Sequence, residues 1–450
     1  MVDMMILKRK IYDELLNWKG KKGRTALLIE GARRVGKSTI VKEFAKNEYR
    51  SSLFIDFVKP IPGTIDIFQN YRHDIGLLLS HLALLYGVRL MERESLIVFD
   101  EVQRYPPARE LIKYFVEDGR YDYIETGSLI SIKKNVRDIQ IPSEESRIRM
   151  NPLDFEEFLW ANGDEVSAPF IRDCFEKKMP LGHDLHKNMM EKYKTFMLVG
   201  GMPQSVVAYL SGHDLYAAEE MKRSILKLYS DDLRKAEEGA DPRATVIFSK
   251  IPSILSARKK SFRPGQVKRN TRTDDYASSI SWLEESYICN LCRSINDPSC
   301  ALNLSLDVDS VKIYMGDTGL LITHSFDSGS ITSSEIMDAF VKNKLSINEG
   351  MFFENAVAQA LVSSNHALYY SEFYTENDDK HPHEVDFISS SGKKIVPIEV
   401  KSSISSKHRS LDLFMEKYGS RVDNVYVVHG KDLRVDGKIT YIPIYMTICL

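Results

Sequence analysis

The chain has 450 residues, room for roughly two to four domains, and its 43% hydrophobic and 28% charged residues are the balance of a globular protein with ample core. Its 61 lysines and arginines stand against 63 acidic residues, so no global charge draws the molecule to nucleic acid, and any such contact needs a local patch. No apolar run reaches membrane-spanning length, the N-terminus has no secretory pattern, and five scattered cysteines (Cys174, Cys289, Cys292, Cys300 and Cys449) fit reduced thiols and a cytoplasmic address without a membrane partner.

Residues Lys8 to Trp18 have the spacing of an amphipathic opening helix. The apolar run Ala26-Leu27-Leu28-Ile29 reads as a strand. It leads into Gly31-Ala32-Arg33-Arg34-Val35-Gly36-Lys37-Ser38, a full match to G-x-x-x-x-G-K-[ST], and Thr39 begins a helix reaching Ala45. Strand, loop and helix are the setting this phosphate-binding pattern requires. Glycines let the backbone wrap close to an anion, and amides from Gly31 to Thr39 together with the helix N-terminus face it. Lys37 is expected to reach the β- and γ-phosphates and Ser38 to ligate Mg2+.

A second strand, Leu53 to Phe57, and a helix around Ile75 to Tyr86 precede Ser95-Leu96-Ile97-Val98-Phe99-Asp100-Glu101-Val102-Gln103. Four successive apolar residues suit a strand buried on both faces of a parallel sheet. Two carboxylates at its C-terminal end lie where open α/β sheets bind ligands. Asp100 is expected to hold Mg2+ and Glu101 to polarise the attacking water. No Asn-Lys-x-Asp guanine-reading motif occurs, which favours ATP over GTP. After a helix from Arg109 to Glu117, the strand from Tyr121 ends in Thr126-Gly127-Ser128. Thr126 or Ser128 is a candidate sensor of the γ-phosphate, a plain strand-terminal turn being the alternative.

Helices are expected from Asn151 to about Leu233, one of them introduced by Val199-Gly200-Gly201-Met202-Pro203, and the charged stretch Arg234 to Asp241 marks a boundary. A basic run follows: Arg258, Lys259, Lys260, Arg263, Lys268, Arg269 and Arg272, with no acidic residue before Asp274. With a helix from Tyr276 to Glu285 and strands at Tyr287 to Cys292 and Val311 to Tyr314, the segment fits a winged helix whose basic patch follows a DNA backbone; a solvated surface is the alternative. Cys289-x-x-Cys292 with Cys300 lacks the second pair a structural zinc site needs.

The C-terminal part reads as a helix Asn348 to Leu361 bearing Glu354, then strands around Ala367 to Tyr374, Glu384 to Ile388 and Lys394 to Lys401. A helix Leu411 to Tyr418 and a strand from Asn424 complete the order. Asp386 followed by Glu399-x-Lys401 has the pattern of a metal-dependent phosphodiesterase. Strand alternation puts Glu399 and Lys401 on one face. Glu354, Asp386 and Glu399 are candidate Mg2+ ligands, and Lys401 is the group to orient water or steady charge. His381-Pro-His383 beside Glu384 reads as a polar loop entering a strand.

Together, Gly31 to Ser38, Phe99-Asp-Glu-Val-Gln103, Thr126-Gly-Ser128, Pro152-Leu-Asp-Phe-Glu-Glu-Phe158, Gly201-Met-Pro203, Tyr314-Met-Gly-Asp-Thr-Gly-Leu320 and Glu399-Val-Lys401 resemble a prokaryotic family of AAA-type P-loop ATPases. That family is related to the origin-recognition and STAND branches and carries a C-terminal PD-(D/E)XK nuclease-type domain. The resemblance implies an α/β architecture in four parts: a P-loop ATPase core with a three-layer parallel sheet at 1–160, a helical lid at 161–240, a winged helix at 241–325 and a restriction-endonuclease-like domain at 340–450. It also implies that the Gly-x-Pro element adjoins nucleotide. Where relatives have a Gly-Arg pair before the Pro-Leu-x-Phe motif, this chain reads Ser143-Glu-Glu-Ser-Arg147-Ile-Arg149, which leaves an arginine finger unassigned. The implied function is Mg2+-dependent ATP hydrolysis coupled to a DNA-facing, nuclease-like part, with oligomerisation compatible. The alternatives are an ATP-dependent switch or scaffold whose C-terminal domain does not cut, and a DNA-binding regulator using the basic patch alone.

Overall fold

Lys10, just ahead of the first helix, already has helical backbone angles, and the chain divides into two units, Met1–Asn151 and Pro152–Leu450. The computed structural model describes residues 5–21, 23–127, 143–237, 241–257, 259–266, 273–299, 301–326, 340, 349–375, 378–401 and 408–450. Ser128, Arg258, Lys268, Arg269, Arg272 and Cys300 lie outside the described residues.

In the first unit, strands β1 (Ala26–Glu30), β2 (Ser51–Asp56), β3 (Ser95–Asp100), β4 (Asp122–Gly127) and β5 (Glu145–Arg149) form one sheet of order β2-β3-β4-β1-β5. Every pairing in it is parallel. Period-two alternation sends Leu96 and Val98 to one face and Ile97 and Phe99 to the other, so β3 is apolar throughout because both faces are covered. Helices Ile11–Lys19 and Lys37–Glu48 supply Leu15, Trp18, Val41 and Phe44 to the first face. Helices Thr64–Tyr71, Ile75–Tyr86 and Ile112–Asp118 supply Phe68, Leu78, Leu82 and Phe115 to the second. Burying each such side chain contributes about 1.5–3 kcal/mol. β4 lies between the strand that enters the Gly31 loop and the strand that ends in Asp100. β5 was not expected: Glu-Ser-Arg-Ile-Arg alternates charge with little apolar content, and it holds its place by pairing with β1 along its whole length.

The second unit opens with the helices Phe155–Ala161, Ser167–Glu176, His183–Val199, Pro203–Leu210 and Leu215–Ala236. Its eight-stranded sheet comprises β6 (Cys289–Ile295), β7 (Leu306–Met315), β8 (Leu368–Thr375), β9 (Asp378–Ser391), β10 (Lys394–Val400), β11 (Val425–His429), β12 (Arg434–Asp436) and β13 (Ile439–Pro443). The order is β12-β13-β11-β10-β9-β8-β6-β7. β6 pairs antiparallel with β7 and parallel with β8, so the two strands expected in a winged helix extend the C-terminal sheet instead of closing a small one of their own. The helices expected as a lid group with the same unit. They are held by side chains from further along: Glu219 accepts from Thr323 at 2.7 Å, and Asp432 accepts the Leu181 and Gly182 amides at 3.1 and 2.8 Å.

Two of the motifs singled out in the sequence meet inside this unit. Asp317 caps helix Thr318–Ser325 by accepting from the Leu320 amide at 2.8 Å, and its other oxygen accepts from the Gly201 amide at 2.5 Å. A Cβ on Gly319 would sit 2.5 Å from Cα of Gly200, so the Gly-Gly and Gly-Asp-Thr-Gly segments touch backbone to backbone. Gly319→Ala is therefore expected to destabilise the unit by about 1–3 kcal/mol, read as a lowered urea midpoint with unchanged slope. An unchanged midpoint would contradict this close approach.

Candidate functional site

Loop 31–38 is shaped by residues that forgo an ordinary backbone. Gly36 precedes helix Lys37–Glu48 at φ 102°, Arg34 also has positive φ, and a Cβ on Gly31 would meet the Met150 carbonyl at 2.3 Å. Val35 is buried and fixes the loop's inner wall, whereas Arg33 and Arg34 are exposed. Ala32 is buried, and Thr39, in the first turn of the helix, is half-buried. Sequence spacing gave no sign of Arg9. Its buried guanidinium donates to the Val35 carbonyl at 3.2 Å and the Asn151 carbonyl at 2.6 Å, tying the loop to the end of the unit.

The buried Lys37 ammonium donates to the carbonyls of Gly31 (2.8 Å) and Ala32 (3.0 Å). Burial pulls it down to about 8, against the opposing pull of Glu101 and Asp100. Ser38 donates its hydroxyl to Asp100 at 2.7 Å, uniting the loop with the end of β3. Thr126 donates to the same Asp100 oxygen and accepts from the Glu101 amide at 3.2 Å. Thr126 thus positions both carboxylate-bearing residues; of the two sensor candidates it is the one within the described residues. Glu101 is held at φ 54°, a left-handed conformation that costs a non-glycine residue about 1 kcal/mol, and Gln103 donates to its carboxylate. The Ser38 hydroxyl and Asp100 carboxylate are hard oxygen donors side by side, a set that fits Mg2+. Arg147 lies on edge strand β5 and pairs with Glu145 at 2.8 Å.

In the second unit, β9 and β10 run antiparallel and bring Asp386 and Glu399 onto neighbouring strands. Asp386 accepts the Val400 amide at 2.8 Å, and Glu399 pairs with Lys401 at 2.7 Å. Burial, reinforced by Asp386, pushes the Glu399 carboxyl up to about 8 against the pull of Lys401. Glu354 is buried on helix Glu349–Ser363, and its carboxylate is taken by lysines and a phenol. Lys260 pairs with one oxygen; Tyr314 and Lys312 (3.3 Å) donate to the other. Lys312 is fully buried and also pairs with Glu384 at 2.6 Å. Burial alone would lower it, yet the surrounding Tyr314, Glu384 and Asp386 hold it well above the ordinary lysine range. Among the described residues, no three histidine, cysteine, aspartate or glutamate side chains converge as a metal centre. Lys312, Tyr314 and Glu384 were missed because alternating charge along a strand is ordinary. The one available signal was a lysine, Lys312, inside the otherwise apolar run from Val311 to Met315. Cys289 and Cys292 are buried thiols on β6, pushed up by desolvation.

Residues 23–159 match the family described as an AAA domain. Residues 190–329 and 349–447 match two families described as domains of unknown function, DUF8612 and DUF4143. No curated protein matches the chain. Among solved structures, the crystal structure of Cdc6p from Pyrobaculum aerophilum is similar at 12% identity and a TM-score of 0.26, over 76% of this chain and 97% of that one. A STAND protein with a tetratricopeptide repeat sensor from Pyrococcus horikoshii is similar at 11% identity and a TM-score of 0.26, over 81% of this chain and 50% of that one. No described helix is long and apolar enough to cross a membrane. With the phosphate-loop pattern, the parallel sheet and the AAA match on the same residues, the first part of this chain is a P-loop ATPase domain of the AAA type.

Proposed function

We propose that this protein hydrolyses ATP on loop 31–38 and uses the nucleotide state to control its second unit as a switch. The observation that carries the reading is the Ser38–Asp100 hydrogen bond of 2.7 Å, with Lys37 next to Ser38 and Glu101 next to Asp100 in the chain. Loop amides from Gly31 to Thr39 and the Lys37 ammonium bind the phosphates; Ser38 and Asp100 are the residues that would hold Mg2+, which neutralises phosphate charge. Glu101 takes the proton of the attacking water, and Thr126 keeps Asp100 and Glu101 in register with the loop. Lys37→Ala is expected to weaken ATP binding by at least about 30-fold, the worth of a charge-assisted hydrogen bond. Titration calorimetry with ATP and Mg2+ checks it, and equal affinity in wild type and variant would defeat the reading.

A second reading concerns metal-dependent cleavage of nucleic acid in the second unit. It is favoured by the Asp386 carboxylate receiving the amide of Val400, the residue between Glu399 and Lys401. In this reading Asp386 and Glu399, with Glu354, would hold the metal, and Lys401 would orient water. The basic run from Arg258 to Arg272 would follow a phosphate backbone through those of its residues that face solvent, such as Lys259.

A further inference from the structure

A loop that holds an anion with its amides must turn its carbonyls elsewhere, each toward a donor. In loop 31–38 the Lys37 ammonium takes the Gly31 and Ala32 carbonyls, and the Ile40 amide takes the Gly36 carbonyl at 3.0 Å. The Val35 carbonyl accepts from outside the loop, from Arg9. The same guanidinium donates to the carbonyl of Asn151, the last residue of the first unit. That carbonyl belongs to the peptide group joining Asn151 to Pro152, the covalent junction of the two units. The junction is stiff, because a proline fixes its own φ and disfavours a helical residue before it. Just beyond it, the Leu153 amide donates to the Gly201 carbonyl at 2.7 Å, and the Gly201 amide is the one held by Asp317.

We propose that Arg9 is a positioning residue that couples the phosphate loop to this junction, so that filling the loop with nucleotide is felt at Leu153 and Gly201. The inference rests on the reading of nucleotide state as the control of the second unit, and it names the residue through which that control passes. In a trans peptide group the carbonyl and the following N–H lie in one plane and point in opposite directions. Holding the Val35 carbonyl toward Arg9 therefore aims the Gly36 amide the other way, and a phosphate that draws in the Gly36 amide swings the Val35 carbonyl with it. Arg9 is buried, so packing keeps its guanidinium in place. Its Nη1 and Nη2 nitrogens are fixed in one rigid fork, so the two carbonyls they hold cannot move independently. Neighbouring backbone contacts follow the same two segments. The Met150 amide donates to the Glu30 carbonyl at 2.7 Å, and the Met150 carbonyl closes on Gly31. Those contacts fasten the residue before Asn151 to the start of the loop, and Arg9 extends the hold to Val35, beside the turn at Gly36 and Lys37.

The test is hydrogen exchange of the full chain, wild type and Arg9→Lys, with and without ATP and Mg2+, read on peptides spanning Leu153 and Gly201. Calorimetry on the same samples sets the ATP concentration at saturation for each protein. Lysine keeps the positive charge, but a single ammonium lacks the planar fork that holds both carbonyls. In wild type, ATP is expected to slow exchange in both peptides. In Arg9→Lys, ATP affinity is expected to fall about tenfold, the worth of one charge-assisted hydrogen bond, and the slowing at saturation is expected to be lost. Protection of the β3 amides reports that the first unit is folded, and Arg9→Gln, a neutral planar donor, gives the same answer should the lysine variant fold poorly. A variant that binds ATP more weakly yet keeps the full wild-type slowing at saturation gives Arg9 a merely structural role, which overturns the coupling and leaves the nucleotide switch standing. A wild type that binds ATP without any change in either peptide overturns the coupling and the switch together.

Discussion

Glu101→Gln is expected to keep ATP affinity within about twofold of wild type while lowering phosphate release by about a hundredfold or more, the usual worth of a positioned general base. Glutamine has the same shape and can still meet Gln103, and the backbone at φ 54° is kept by the Thr126 hydrogen bond to the residue's amide. What it lacks is a carboxylate able to take a proton. The loss should therefore fall on kcat, with KM little changed. Steady-state phosphate release paired with an ATP-binding isotherm makes the distinction. Undiminished turnover would remove Glu101 from the chemistry; joint loss of binding and turnover would mean that it holds the site's structure instead.

Lys312→Met is expected to be the most destabilising single change in the second unit, by about 3–5 kcal/mol, because it leaves buried Glu354 and half-buried Glu384 without the cation they share. The methionine fills the volume, so the penalty is electrostatic and not a cavity. Adding Glu384→Gln should return part of the loss, since Glu354 keeps Lys260 and Tyr314 while the carboxylate that paired with Lys312 alone is then neutral. Chemical denaturation of the three variants against wild type measures this. A Lys312→Met protein as stable as wild type would show that the ion pairs contribute nothing net.

The ATPase half was legible from sequence because its signals are local. A glycine loop between an apolar strand and a helix, and an apolar strand ending in two carboxylates, each lie within a dozen residues, and their positions in β1, β3 and helix Lys37–Glu48 follow directly. Arg9 and Met150 were invisible because their hold on the loop spans long stretches of chain that no periodicity links. In the second unit the individual elements were readable, including the strands carrying Asp386 and Glu399, but their partners were not. Strands β6 and β7 end a run of helices and so looked like the close of a small domain; pairing of β6 with β8, seventy-odd residues later, is a non-local choice that sequence pattern leaves open. Gly201 and Asp317 were singled out as motif residues, and their hydrogen bond gives them a structural task within their own unit. Lys260 was read as one of seven like charges, and only a β-bridge between Ser261 and Lys312 separates it from the others.

The parallel seam between β6 and β8 has a practical corollary for dissecting this molecule. A fragment beginning near residue 340 would strip Leu368–Thr375 of its neighbour and present a raw row of amides and carbonyls to solvent, an invitation to aggregate. It would also discard both Lys260 and Lys312, leaving Glu354 and Glu384 without the lysines that pair with them. Binding or cleavage measured on such a truncated piece would report on a surface that the intact chain never exposes.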